Sequence, residues 1–268
     1  MLLGLVAHSR AFREQCLRQR STKVQTAFIE FWAGAGVLTK EHIRLGWTCS
    51  RFDRAYSNSH DCSIGVGLRL WVDELCQVSK GGYIWCGTQC SSFLQMCVST
   101  SGRRRSNGFY GDESRKFVRE GNRQMKVLSL LFVVASLLNV DVVLEQPSQS
   151  VLPHMQPLRL AMDFAGAMKT TTWLGEYGGI SPKPIQLWHT ASKFRALARR
   201  RRRGIQHGSR LVTRLPGNKF RGNPKALKLS QVYPCEFAVA VSILATTQDG
   251  TPRAGAPRGS RKRRMTPG

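Results

Sequence analysis

Phe28-Ile29-Glu30-Phe31-Trp32-Ala33-Gly34-Ala35-Gly36 is the stretch on which the fold turns. Its apolar, aromatic run reads as a buried strand, and the glycines closing it read as a turn into a helix. Residues 37–45 then keep helical spacing, with Gly46 where a C-terminal cap belongs. Working outward, residues 47–52 form a second strand ending at Asp53, and residues 68–78 return to helical spacing. Gly81-Gly82 turns the chain into an apolar run at residues 83–86, and a long polar loop follows at 99–121. A helix is predicted at 122–138, and a strand at 140–144 that ends in Glu145-Gln146-Pro147. A further helix is predicted at 155–168, strands at 169–177 and 183–188, and a closing helix at 230–244. Strands separated by helices of this length predict an α/β fold: a Rossmann-like, mostly parallel sheet with helices on both faces.

The charge balance points to a polyanionic partner. The chain carries 41 Lys and Arg against 16 Asp and Glu, a formal net charge of +25. Such a surface attracts nucleic acid, because each phosphate neutralised releases a counterion. Part of the excess sits in two runs, Arg199 to Arg203 and Arg261-Lys262-Arg263-Arg264, and the rest is spread through the body. These runs suit nuclear import and plain polyanion binding alike. The eight cysteines show no paired CxxC spacing, which predicts free thiols in a reducing compartment. No apolar stretch has the length of a membrane span, so a soluble intracellular protein without a membrane partner is expected. The expected organisation is a basic lead-in at 1–25, one α/β domain at 26–247 with a basic insertion near 191–229, and a disordered basic tail at 248–268. Oligomeric state is not legible.

In a parallel sheet, ligands sit outside the carboxyl ends of the strands. The residues with chemistry cluster there. Gly34 and Gly36 let backbone approach a ligand at a helix start. Asp53 closes the second strand, where an acid grips ribose hydroxyls or, more plainly, serves a turn. Glu30 is unusual inside a strand and reads either as a structural cap or as a cofactor contact. Cys90 sits between Gly87-Thr88-Gln89 and Ser91-Ser92-Phe93, a small-residue loop that presents a thiol or simply buries it. Glu145 ends an apolar strand and is placed to meet the other strand ends; a thiol beside an acid suits nucleophilic and acid/base catalysis. Metal is discounted, since His60, Asp61 and Cys62 are adjacent rather than spaced as ligands.

These motifs, in this order, resemble the DNA (cytosine-5) methyltransferases, a branch of the class I S-adenosylmethionine-dependent methyltransferases. Phe31-Trp32-Ala33-Gly34-Ala35-Gly36 is similar to that family's first cofactor motif, and Asp53 falls where its second-strand acid holds the ribose. Gly87 to Phe93 looks like the catalytic Pro-Cys loop, with Gln89 in place of the proline. Glu145-Gln146-Pro147 resembles the Glu-Asn-Val motif. Lys183 and Gln186 stand where a Gln-x-Arg-x-Arg motif is expected, and Tyr233-Pro234 with the next helix matches the element that closes beside the first motif. The likeness covers roughly residues 26–190. It implies S-adenosylmethionine held by Phe31, Trp32, Ala33, Gly34, Gly36 and Asp53. It implies that Cys90 attacks carbon 6 of an extruded cytosine in DNA while Glu145 binds and protonates the ring. Arg103, Arg104 and Arg105 become phosphate contacts on a mobile flap, or else a solvated charge run. Two rivals stay open: the same fold with another acceptor (a base amino group or RNA) and Cys90 structural, or a catalytically silent nucleic-acid-binding protein.

Overall fold

The structure, a computed structural model, describes residue 14 and residues 25–201, 211–216, 219–248 and 251–252. The central sheet owes its apolar sequence to being covered on both sides. Along β1 (Thr26–Phe31), Phe28 faces one layer and Ile29 and Phe31 the other, and all three are fully buried. After the glycine turn come α1 (Val37–Arg44), β2 (Cys49–Phe52), α2 (Gly65–Cys76) and β3 (Val78–Cys86). The long helix α3 (Lys116–Leu137) leads to β4 (Asp141–Pro147), and α4 (Gln156–Phe164) to β5 (Met168–Trp173) and β6 (Pro184–His189). A hairpin of β7 (Val212–Leu215) and β8 (Lys219–Gly222), then α5 (Pro224–Leu229) and α6 (Cys235–Thr246), complete the described chain.

The six-stranded sheet runs β2-β1-β3-β4-β6-β5. Pairings β1–β2, β1–β3 and β3–β4 are parallel, while β6 runs antiparallel between β4 and β5. This is an α/β fold with a mostly parallel, mixed sheet. Helices α2, α3 and α4 bury Trp71, Leu75, Leu128, Leu131, Phe132 and Leu158 against one face. On the other face α1 and α6 contribute Leu38, Phe237, Ala238 and Val241, joined by Phe194 and Leu197 from the turn after β6. Among the described residues, no helix is long and apolar enough to cross a membrane.

Several expected boundaries move, each for a local reason. Gly81-Gly82 is not a turn before β3 but a bulge inside it. The register jumps from Thr26–Val78 to Phe28–Tyr83, and a Cβ on Gly82 would stand 2.7 Å from the Ala27 carbonyl oxygen. Helix α4 stops at Phe164, four residues before the predicted end, because Gly166 takes a left-handed φ of 66°. The helix expected at residues 230–244 starts only at Cys235, after Pro234, and a short helix not expected from the sequence, α5, precedes it at Pro224–Leu229. The strand predicted at 169–177 ends at Trp173, and Leu174–Tyr177 coils into a 3-10 turn. Most of the lead-in and of the basic tail lies outside the described residues.

Helix α1 is pinned by two buried titratable side chains. Glu30 reaches from β1 to accept the Thr39 amide (2.9 Å) and hydroxyl in the first turn, where Gly36 gives no side-chain cap. His42 Nδ1 donates to the Leu38 carbonyl (2.7 Å), so Nε2 is left to accept the Tyr83 hydroxyl (2.7 Å). Burial outweighs the Thr39 bonds and pushes the Glu30 carboxyl up from 4.5 to about 7. Burial likewise holds His42 down, from 6.5 to about 4.

Their pH effects have opposite sign. Glu30 titrates higher folded than unfolded, so its contribution is complete below pH 4.5 and lost as pH rises to about 7. His42 titrates lower folded, so its contribution is present above pH 6.5 and lost as pH falls to about 4. Glu30→Gln removes the falling component alone. Relative to wild type, the variant is expected to gain on the order of 3 kcal/mol between pH 4.5 and 7. Urea unfolding across that range measures it; parallel stability curves for the two proteins refute it.

Candidate functional site

The direction of winding reverses at β1. From β1 the chain first moves out to β2 and then returns to β3 on the other side, so the crevice outside the carboxyl ends of β1 and β3 is the topological switch point. The glycine turn lies on one side of that crevice and the Cys90 loop on the other. Trp32 opens the turn with a left-handed φ of 55°, uncommon for a bulky residue, and its ring stands edge-on to Trp71 at 4.6 Å. Gly34 (φ 53°) has nothing within 4 Å of where a Cβ would stand, so the turn is open there. Gly36 is covered instead: a Cβ would meet Arg51 Nη1 at 2.7 Å and the Tyr56 hydroxyl at 3.2 Å.

Asp53 closes β2 and holds the turn in shape. Its Oδ2 accepts the Gly34 amide (3.0 Å) and its Oδ1 the Ala55 amide (2.8 Å), while the Tyr56 hydroxyl donates to the Gly34 carbonyl (2.6 Å). The plain reading of Asp53 as a turn residue is therefore realised, with a lone pair on each oxygen still available. Glu30 is likewise the structural cap. Phe31 does not offer its ring to a ligand. It is fully buried, stacked on Trp71 at 4.4 Å and tilted against Phe52 at 5.6 Å, because an odd position of β1 faces the α2 layer. Ala33 is buried, and its amide donates to the Phe52 carbonyl at 3.1 Å.

Cys90 follows β3, and Glu145, expected at the end of its strand, instead pairs with Leu187 inside the neighbouring parallel strand β4, which runs on to Pro147; the two influence one another electrostatically. Burial pushes the Cys90 thiol up, nearby Lys183 pulls it down, and Glu145 raises it again. Lys183 Nζ also stands 3.9 Å from Glu145 Oε1. Glu145 is itself buried. Its Oε2 accepts the Tyr233 hydroxyl (3.1 Å), whereas Oε1 has no hydrogen-bond partner. Tyr233 in turn accepts the Trp85 indole N–H (3.1 Å). A Cβ on Gly87 would stand 3.1 Å from the Tyr233 hydroxyl, so glycine there keeps the space between loop and tyrosine.

The loop carrying Cys90 is tethered by Gln146. This fully buried amide donates to the Thr88 carbonyl (3.1 Å) and hydroxyl (2.6 Å), and its oxygen accepts the Ser150 hydroxyl (2.8 Å). In the sequence Gln146 reads as a departure from a motif; its buried bonds make it a brace between β4 and the loop. Lys183 and Tyr233 are legible in the sequence only as residues near the closing elements, since nothing local marks either as a neighbour of Glu145. Tyr233→Phe leaves Glu145 Oε2 and the Trp85 N–H unpaired and is expected to cost about 2 kcal/mol of stability. Thermal denaturation reads this, and an unchanged midpoint contradicts the bridging role.

The Arg103 to Arg105 triplet divides. Arg103 is not a phosphate contact: it is buried, with its guanidinium 4.1 Å over the Phe93 ring. Nη1 donates to the Phe109 carbonyl (2.6 Å) and Asn122 Oδ1 (2.8 Å), and Nη2 to Ser92 Oγ (3.1 Å) and the Val118 carbonyl (3.2 Å). Its Nε is buried without a hydrogen-bond partner, out of reach of any phosphate. The residue thus ties the segment after Cys90 to the 102–115 loop and to α3. Arg104 and Arg105 are exposed on the loop. Comparison with known proteins finds no matching family model and no matching curated protein for this chain.

Proposed function

We propose that this protein is an S-adenosylmethionine-dependent methyltransferase acting on nucleic acid, with carbon 5 of cytosine in DNA as its acceptor. The observation that carries the reading is that a thiol and a buried carboxylate, coupled electrostatically, lie near the carboxyl ends of β3 and β4, the next two strands beside β1, which leads into an open glycine turn. Cys90, Glu145 and Gly34 lie near three different strand ends, and in a sheet of this type that is where a ligand belongs.

The residues present fit the cofactor. The turn is uncovered at Gly34, and Asp53 stands beside it with lone pairs to spare. Trp32, Ala33, Gly34 and Asp53 would line that group, which when bound supplies the methyl that is transferred. Glu145 keeps one buried oxygen, Oε1, unbonded, and a carboxylate so placed accepts an N–H of a ring. Cys90 supplies the nucleophile once its proton is lost, and Lys183 is the cation whose charge favours that loss.

A second reading keeps the cofactor but moves the methyl to a base amino group or to RNA, with Cys90 structural. It is favoured by one observation, that burial pushes the thiol up. Mass spectrometry of nucleosides, after incubation of the protein with labelled cofactor and mixed nucleic acid, separates these. Label in 5-methyl-2′-deoxycytidine supports the first reading, and label on an exocyclic amine or in ribonucleosides supports the second. No transfer, together with no cofactor binding by calorimetry, leaves a silent nucleic-acid-binding protein.

A further inference from the structure

Beyond β6 the chain makes a 3-10 turn, Ser192–Leu197, that buries Phe194 and Leu197 against the sheet. It then leaves as Arg199-Arg200-Arg201, all three exposed. Two of these guanidiniums lie within cation–π reach of aromatic rings. Arg199 lies 5.5 Å from the Tyr177 centroid and Arg201 5.9 Å from that of Trp173. Arg199 Nη1 donates to the carbonyls of Ala196 (3.3 Å) and Ala198 (3.1 Å), and the Tyr177 hydroxyl donates to the Leu197 carbonyl (2.9 Å).

These rings sit beside the candidate site. Trp173 pairs with Pro184 across the β5–β6 ladder, and the Leu174 amide donates to the Lys183 carbonyl (2.9 Å). Lys183 is the residue whose ammonium stands 3.9 Å from Glu145. From there the positive edge continues along β5, the outermost strand: Lys169 lies 5.5 Å from the Trp188 ring, and Arg195 Nη2 is 2.9 Å from Met168 Sδ. Glu176 and Glu236 border the same turn, so the arginines share it with two carboxylates.

We propose that Arg199, Arg200 and Arg201 form a pre-set track for the phosphodiester backbone of a polynucleotide, leading to the Cys90–Glu145 site. This rests on the nucleic-acid reading given above. A guanidinium within cation–π reach of a ring is restrained in position, and the donors of Arg199 beyond its Nη1 carbonyl bonds, with those of Arg201, remain to form the fork that matches phosphate oxygens. Because the rings already restrict Arg199 and Arg201, less side-chain freedom is lost on binding. Arg103, the first residue of the other basic triplet, has its donors turned inside the fold.

The test is fluorescence anisotropy with a labelled oligonucleotide, single-stranded and duplex, titrated at several salt concentrations. The proteins are wild type, the triple variant R199A/R200A/R201A, and Lys80→Ala at the opposite end of the sheet, with circular dichroism confirming the fold of each. In the triple variant the slope of log affinity against log salt is expected to become shallower by about 2 to 3, at about 0.7 to 0.9 for each phosphate that is no longer neutralised. Lys80→Ala is expected to keep the wild-type slope. Wild type that binds, with a triple variant of the same slope, overturns the track and leaves the methyltransferase reading standing. Equal, equally salt-dependent affinity of wild type for poly-glutamate also overturns it. No binding of either oligonucleotide by wild type overturns both.

Discussion

Arg103→Ala is expected to destabilise the protein by about 3 kcal/mol, among the larger effects available to a single substitution. The guanidinium is buried, and its donors serve Ser92 Oγ, Asn122 Oδ1 and the carbonyls of Phe109 and Val118. Truncation leaves those acceptors inside the protein without donors and removes the group lying on the Phe93 ring. For a domain of this size, each kcal/mol moves the melting midpoint by roughly 2–4 °C, so a fall of roughly 6–12 °C is the readout. The damage is expected to spread to the Cys90 loop, because Ser92 and Phe93 lose their common anchor. Hydrogen exchange at the amides of Ser92 and Phe93 should quicken more than at those of β1. A variant that melts with wild type and keeps those amides protected shows that Arg103 is not the tie described. Were Arg103 a surface phosphate contact, alanine would leave the midpoint within about 0.5 kcal/mol of wild type, as ordinary surface substitutions do.

Under the proposed function, Cys90→Ser is expected to reduce methyl transfer to cytosine by a factor on the order of 10⁴ or more, the scale on which loss of a nucleophile is felt. The same substitution should abolish the covalent adduct with 5-fluorocytosine DNA while cofactor binding by calorimetry is retained. Because burial pushes the Cys90 thiol up, only a minority is thiolate at neutral pH. The wild-type rate should therefore climb as pH is raised through the alkaline range, and the climb should be absent from whatever activity the serine variant keeps. Undiminished transfer by Cys90→Ser, or a flat alkaline profile in wild type, removes Cys90 from the chemistry and favours the reading with another acceptor.

The triplet Arg103-Arg104-Arg105 shows where reading the chain locally stops. Three identical neighbours in a polar loop look equivalent, yet one is buried and two are exposed. Space decides between them. A Cβ on Gly121 of α3 would stand 2.9 Å from Arg103 Nη2 and 2.5 Å from Ser92 Oγ, and one on Gly111 would stand 2.9 Å from Arg103 Cγ. Two glycines, one in the loop and one in α3, make the hole that Arg103 fills, and nothing in the triplet itself announces that. Phe31 gives the converse lesson: its place in a cofactor-like motif was legible, but the alternation of β1 turns its ring to Trp71.

What the sequence determined by itself is the alternation of elements and the positions at which β2 and β3 end. Apolar runs, glycine turns and helical spacing are properties of adjacent residues, and they suffice for the existence of β1, α1, α3 and β4 and for the turn at Gly34, though α3 starts at Lys116, inside the stretch expected as loop. Tertiary structure decided everything that depends on residues meeting from a distance. It slots β6 antiparallel between β4 and β5, sets Lys183 and Tyr233 at Glu145, and braces the Cys90 loop through Gln146. The reason is that strand order and side-chain partners are fixed by the packing of both sheet faces together. The glycine turn could be read from adjacent residues; only the folded sheet sets a carboxylate and a lysine close enough to the Cys90 thiol to influence it.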